Sequence, residues 1–183
     1  MKKIVLVTMC IILSLNLSAQ KSDAELTKVE KFLDKRGALI QKELTSFHMI
    51  FGISDMLEVV RVKVIYLESL ADKSTQTGIL FEYDYKSKTA VSYLDDDEVD
   101  NLIKYIKLAQ DKVTTMPVES IKDNTEFTFT SKSGFQFGYF YKKEWMPFLK
   151  INTIFYFLKK EDVSALVTSL EETGKKTIQS YKK

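Results

Sequence analysis

The hydrophobic positions change period along the chain. Leu26, Val29, Phe32, Leu33, Ile40 and Leu44 recur at threes and fours or their sums, which places them on one helical face. Ser22-Asp23-Ala24-Glu25 has capping-box spacing, a hydroxyl for the third amide ahead and a glutamate reaching back. These features predict an N-terminal helix over residues 23–45, with Gly37 costing it about 1 kcal/mol relative to alanine. From about Leu57 the period falls to two. Val60, Val62, Val64 and Tyr66 alternate with Arg61, Lys63, Ile65 and Leu67, a strand with one clearly apolar face. Ala71 to Thr77 is a polar connection, and Ile79, Phe81, Tyr83 and Tyr85 form the next strand. Lys86-Ser87-Lys88 turns the chain into a short return through Tyr93. Asp95 to Glu98 then opens a helix bearing Val99, Leu102, Ile103, Ile106 and Ala109 on one side.

The second half runs in the same order. Phe127 and Phe129 alternate with polar residues, Ser131-Lys132-Ser133-Gly134 is a hairpin signal, and Phe135, Phe137, Tyr139 and Tyr141 continue on the return strand. Ile151 to Leu158 is apolar on both faces, as a covered strand would be. Val163, Leu166, Val167 and Leu170 mark a closing helix over roughly residues 161–179. The strand-to-helix junction Tyr93-Leu94-Asp95-Asp96-Asp97-Glu98-Val99-Asp100-Asn101-Leu102-Ile103 lies 64 residues before Phe157-Leu158-Lys159-Lys160-Glu161-Asp162-Val163-Ser164-Ala165-Leu166-Val167. Aromatic, Leu, acidic, Val and Leu positions coincide, so the two stretches read as an internal repeat, with shared local strand–helix chemistry as the alternative.

The expected fold is therefore α+β: two β-β-β-α repeats, about 57–113 and about 124–179, forming one largely antiparallel sheet. Its helices pack on one face, and the N-terminal helix lies beside them or over an edge. The layout is similar to the tandem-repeat sheets of the TATA-binding and β-lactamase-inhibitor folds, a likeness of architecture that carries no function. The Tyr93–Lys104 motif resembles one in a family of small secreted bacterial (Bacteroidetes-like) proteins, whose junctions read Tyr-Leu-Asp, Asp-Glu and Leu-Ile-Lys at this spacing. That resemblance implies an exported α+β domain and brings no catalytic residue or ligand.

Residues 1–19 read as a signal peptide: Met1-Lys2-Lys3, an apolar run from Ile4 to Leu17 too short for a comfortable membrane span, and a cleavage position after Ala19. Cys10 follows Met9 inside the apolar run, so it does not read as a lipid-attachment site. Residues 20–183 then form a single domain, periplasmic or extracellular, with no stable membrane insertion after cleavage. A chain of 183 residues, 45% hydrophobic and 28% charged, with 6 Gly and 2 Pro, is neither collagen-like nor low-complexity nor disordered. The formal charge of +2 belongs to the leader, because loss of Lys2 and Lys3 leaves 25 basic against 25 acidic side chains. A neutral chain has no global field to draw nucleic acid. Cys10 is the only cysteine, so the exported chain has no disulfide, thiol nucleophile or cysteine metal site.

Candidate chemistry is sparse. Asp95, Asp96, Asp97, Glu98 and Asp100 offer oxygen ligands for a cation, but without the spacing and central glycine of a calcium loop. Carboxylates at a helix start more simply cap free amides. His48, the only histidine, sits among Phe47, Met49, Ile50 and Phe51 without a nucleophile or orienting carboxylate in pattern, and reads as a core-edge residue. The glycines form no phosphate-cradling motif. Paired carboxylates remain open, because 25 acidic residues supply many pairs whose spacing in space the chain does not give.

The aromatics are the remaining feature. Phe135, Phe137, Tyr139, Tyr141, Phe155 and Phe157, with Phe81, Tyr83 and Tyr85, read as one buried sheet face. Phe140, Trp145, Met146, Ile154, Tyr156 and Leu158 fall on the opposite parity or on a loop, where they are either exposed or covered by the leading helix. Lys142, Lys143, Lys150, Lys159 and Lys160 near them read as solvated edge lysines. The expectation is an exported, non-catalytic binding or structural module without cofactor or metal. It would meet a protein or glycan partner through Phe140, Trp145, Ile154 and Tyr156. The alternatives are an inhibitor of an exported enzyme, a lipid-binding protein and a carboxylate-dependent hydrolase.

Overall fold

The computed structural model describes residues 26–52 and 58–182. The expected signal peptide and the Ser22–Glu25 capping box lie outside the described residues. The fold is α+β. A short helix α1 (Lys28–Leu33) precedes a four-stranded antiparallel meander of β1 (Ile40–Phe51), β2 (Val59–Ser69), β3 (Thr75–Tyr85) and β4 (Lys88–Asp95), closed by helix α2 (Asp96–Thr115). A second meander of β5 (Glu126–Thr130), β6 (Gln136–Tyr141), β7 (Trp145–Ile151) and β8 (Ile154–Phe157) leads into α3 (Lys160–Ser169). A π-helical turn at Leu170–Gly174 carries the chain on into α4 (Lys175–Tyr181). No helix among the described residues is long and apolar enough to cross a membrane.

The expected helix over residues 23–45 is replaced by α1 and by β1. Thr27 starts α1: its Oγ1 accepts the Glu30 amide at 3.0 Å and the Glu30 carboxylate accepts the Thr27 amide at 2.8 Å. The helix ends at Asp34, and Gly37 takes a left-handed φ of +76°, which lets the chain turn away. Ile40 and Leu44 are four apart, a spacing that serves a strand as well as a helix, and pairing with β2 decides in favour of the strand. A bulge at Phe47 leaves that residue unpaired and turns both Phe47 and His48 toward the helices.

The expected single sheet is two separate sheets, and each half has four strands rather than three. β1 and Trp145–Ile151 are the strands that the sequence pattern did not predict. The sheets turn their apolar faces to one shared core instead of joining edges. Phe81 of β3 stacks on Phe135 with centroids 4.3 Å apart, Tyr83 meets Tyr156 edge-on at 6.1 Å, and the Tyr156 hydroxyl donates to the Ile50 carbonyl at 3.2 Å. Val99, Leu102, Ile103 and Ile106 of α2 and Val163, Leu166 and Leu170 of the closing helices fill the same core.

The expectation of helices on one face fails for the first sheet. Val29 and Phe32 of α1 pack on Ile65 and Leu67, on the face opposite the shared core. Gly78 permits this approach, since a Cβ there would sit 2.7 Å from Val29 Cγ2 and 2.5 Å from the Leu94 carbonyl oxygen. Beyond α1 this outer face is a charge ladder: Arg61 pairs with Asp84 and Glu82, and Lys63 reaches Glu82 at 2.7 Å.

Candidate functional site

The outer face of the second sheet is built differently. Cross-strand pairing sets Glu126 opposite Phe140, Phe140 opposite Met146, Gly138 opposite Phe148, and Phe148 opposite Phe157. Gly138 is hollow by necessity: a Cβ there would lie 2.7 Å from the Phe148 ring and 2.4 Å from the Phe127 carbonyl oxygen. The Phe148 ring settles over it and is 1% exposed. Phe155 and Phe157 stand beside it with 54% and 45% of their surface open. Together with Phe140 and Glu126 they enclose a shallow recess of about 240 Å³. The Lys150 ammonium lies 5.2 Å from the Phe155 ring centroid.

The four residues expected to form the docking surface do not come together. Phe140 lies half-buried on this outer face. Trp145, at 8% exposure, and Tyr156, at 2%, are core residues, and half-buried Ile154 packs against the core from the same parity. Phe155 and Phe157, expected inside, are outside. The inversion arises at the two-residue turn Asn152-Thr153, where Asn152 adopts a φ of +56° and pairs Ile151 with Ile154. That register sets Phe155 opposite Lys150, on the solvent side. The signal was in the sequence: an Asn-led two-residue turn with a lysine two positions before it fixes which side of β8 is wet.

The remaining candidates have structural roles. Asp95 is fully buried, and its carboxylate accepts the amides of Lys28 at 2.9 Å and Val29 at 3.2 Å, so it caps α1 rather than its own helix. Glu98 accepts the Asp95 amide at 3.1 Å and the Lys132 amide at 2.8 Å, tying the β5–β6 turn to the same junction. Asp96, Asp97 and Asp100 face Lys182, Lys28 and Lys175. The Lys182 ammonium and the Asp97 amide hold the Asp96 carboxyl below the usual range, against the opposing effect of its partial burial. At the matching junction Lys159 accepts nothing, and its amide is capped by Asp162 at 3.2 Å.

His48 is half-buried on the bulge, with Nδ1 2.9 Å from Ser169 Oγ. Burial lowers its pKa below the ordinary value, and the Asp162 charge opposes that shift. No carboxylate is hydrogen-bonded to the ring among the described residues. Lys142 and Lys143 sit in the β6–β7 turn, and Lys160 reaches Glu144 at 3.8 Å.

Comparison of the chain with family models, curated proteins and solved structures finds no match.

Proposed function

We propose that the chain is an exported, non-catalytic binding module that docks a protein partner through the outer face of its second sheet. The supporting observation is Phe155 and Phe157, about half exposed beside Phe140 and the recess over Phe148, on a face that no described helix covers. Large aromatics at the centre of a patch are the side chains that dominate binding energy. A protein partner fits better than a glycan, because Glu126 is the only polar side chain in the recess and sugar hydroxyls would find few partners. On the outer face of the first sheet, α1 covers Ile65 and Leu67 and the charge ladder crosses the centre, which leaves Met49 and Phe51 exposed on β1 without an aromatic-lined recess beside them.

The two halves support a duplicated origin within this reading. Leu94 and Leu158, Val99 and Val163, Leu102 and Leu166, and Ile106 and Leu170 are all buried, each pair 64 residues apart. On this view the copies diverged on their outer faces, one partly covered by α1 and crossed by ion pairs, the other left to bind.

The test compares the immobilised wild-type chain with the double variant Phe155→Ser and Phe157→Ser in periplasmic extract. A protein retained by the first and lost by the second, with folding unchanged by circular dichroism, carries the reading. Equal retention by both refutes it, and release by free sugars would reassign the face to a glycan.

A further inference from the structure

A second concavity lies away from that face, between the C-terminal half of α2, the segment Met116–Ile121 and the β6–β7 hairpin. Its volume is about 380 Å³, within the range of small-molecule sites. Val113, Met116, Ile121, Tyr139, Tyr141 and Trp145 make its walls. Tyr139, Tyr141 and Trp145 belong to the buried core and Val113, Met116 and Ile121 are partly buried against it, so the recess opens onto the edge of that core.

Its polar character lies at the rim. The indole of Trp145 is buried, and its Nε1–H has no acceptor among the described residues. That nitrogen is closed to solvent, so Trp145 offers the recess its ring surface and not a free donor. The exposed Lys143, Glu144 and Lys160 border the recess. Glu144 is engaged by Lys160, and Lys143 forms no ion pair among the described residues, so the rim carries a surplus positive charge. Gln110 on the opposite wall is committed to the Tyr139 hydroxyl, whose pKa burial raises to about 12, so the phenol stays neutral.

We propose that this recess binds a small amphipathic carboxylate, with its apolar body against Trp145 and Met116 and its anionic head toward Lys143. The apolar walls supply affinity in proportion to the surface they cover. The lysine supplies the preference for a negative head, which is electrostatic and salt-dependent.

Trp145 is the only tryptophan, so its fluorescence reports this recess. The full chain is titrated with decanoate, decanol and decylamine, each below its aggregation threshold, and retention is measured in parallel by equilibrium dialysis. Decanoate should give a saturable change in Trp145 emission and bind more tightly than decylamine. Lys143→Glu should weaken decanoate about fivefold while leaving decanol unchanged, an electrostatic signature that lost packing would not give. Thr114→Phe, placed on the lining at an exposed helix position, should weaken all bound probes. Absence of saturable decanoate binding, decylamine binding as tightly as decanoate, or a Lys143→Glu variant with unaltered decanoate affinity would each overturn the proposal.

Discussion

Removal of the Asp95 carboxylate is expected to undock α1. The group is fully buried and accepts two amides from the first turn of that helix, with the Lys132 ammonium 3.7 Å away. Hydrogen bonds to a charged acceptor contribute about 1.5–3 kcal/mol each, and loss of the acceptor leaves the buried Val29 amide unpaired. Asp95→Ala should therefore lower stability by about 3 kcal/mol, or about 6–12 °C in Tm for a chain of this size. Asp95→Asn keeps one acceptor oxygen and should lose roughly half as much. Urea unfolding followed by circular dichroism measures the total, and native-state hydrogen exchange locates it, with the Lys28 and Val29 amides exchanging faster. The control is Lys159→Ala at the equivalent junction, which should change stability by less than about 0.5 kcal/mol because that side chain caps nothing. A loss below about 1 kcal/mol for Asp95→Ala, or unaltered exchange at Val29, would refute the capping account.

Other expectations follow from the second sheet and the bulge. Gly138→Ala should destabilise by about 1–3 kcal/mol, since its methyl meets both the Phe127 carbonyl and the Phe148 ring; an unchanged urea midpoint would contradict the packing. Tyr156→Phe should cost about 1 kcal/mol by leaving the Ile50 carbonyl without its donor, while Phe155→Ser on the same strand stays within about 0.5 kcal/mol. The reverse ranking would mean that β8 has the opposite parity.

His48 has a lowered folded-state pKa through burial, so the unfolded chain takes up the proton first as pH falls. Its contribution is constant above the ordinary histidine range, and stability is lost from about pH 6.5 downward until the folded value is passed. One proton bounds this slope at about 1.4 kcal/mol per pH unit. His48→Gln should flatten the difference between unfolding curves at pH 7 and pH 5.5, and an identical pH response would show that the ring stays solvated. Ser169 Oγ and the Asp162 charge are the groups facing it.

Much of the local structure was legible without coordinates. Val60, Val62 and Val64 face the shared core, as do Phe81 and Tyr83, and the stripe from Val99 to Ala109 is the buried side of α2. The acidic junction was readable as a capping structure, although the helix that Asp95 serves was not. Its partner amides are 66 and 67 residues earlier in the chain. At Ile40 and Leu44 the spacing satisfies two periods at once, and Gly37, a cost inside a continuous helix, instead marks the end of one turn and the approach to a strand.

The candidate site was only partly visible for a related reason. Alternation says which residues share a side within one strand, and each turn resets that count. Phe155 and Phe157 could be placed only by carrying the register from Lys150 through Asn152-Thr153. The alternation and helical stripes thus determined the apolar sides of the elements, because those depend on neighbours a few residues away. Whether two meanders join at an edge or close face to face, and which aromatic is then left in water, depends on pairing between distant segments. Only the tertiary structure decided that, since both arrangements bury the same stripes and differ in the edges and rings they leave outside.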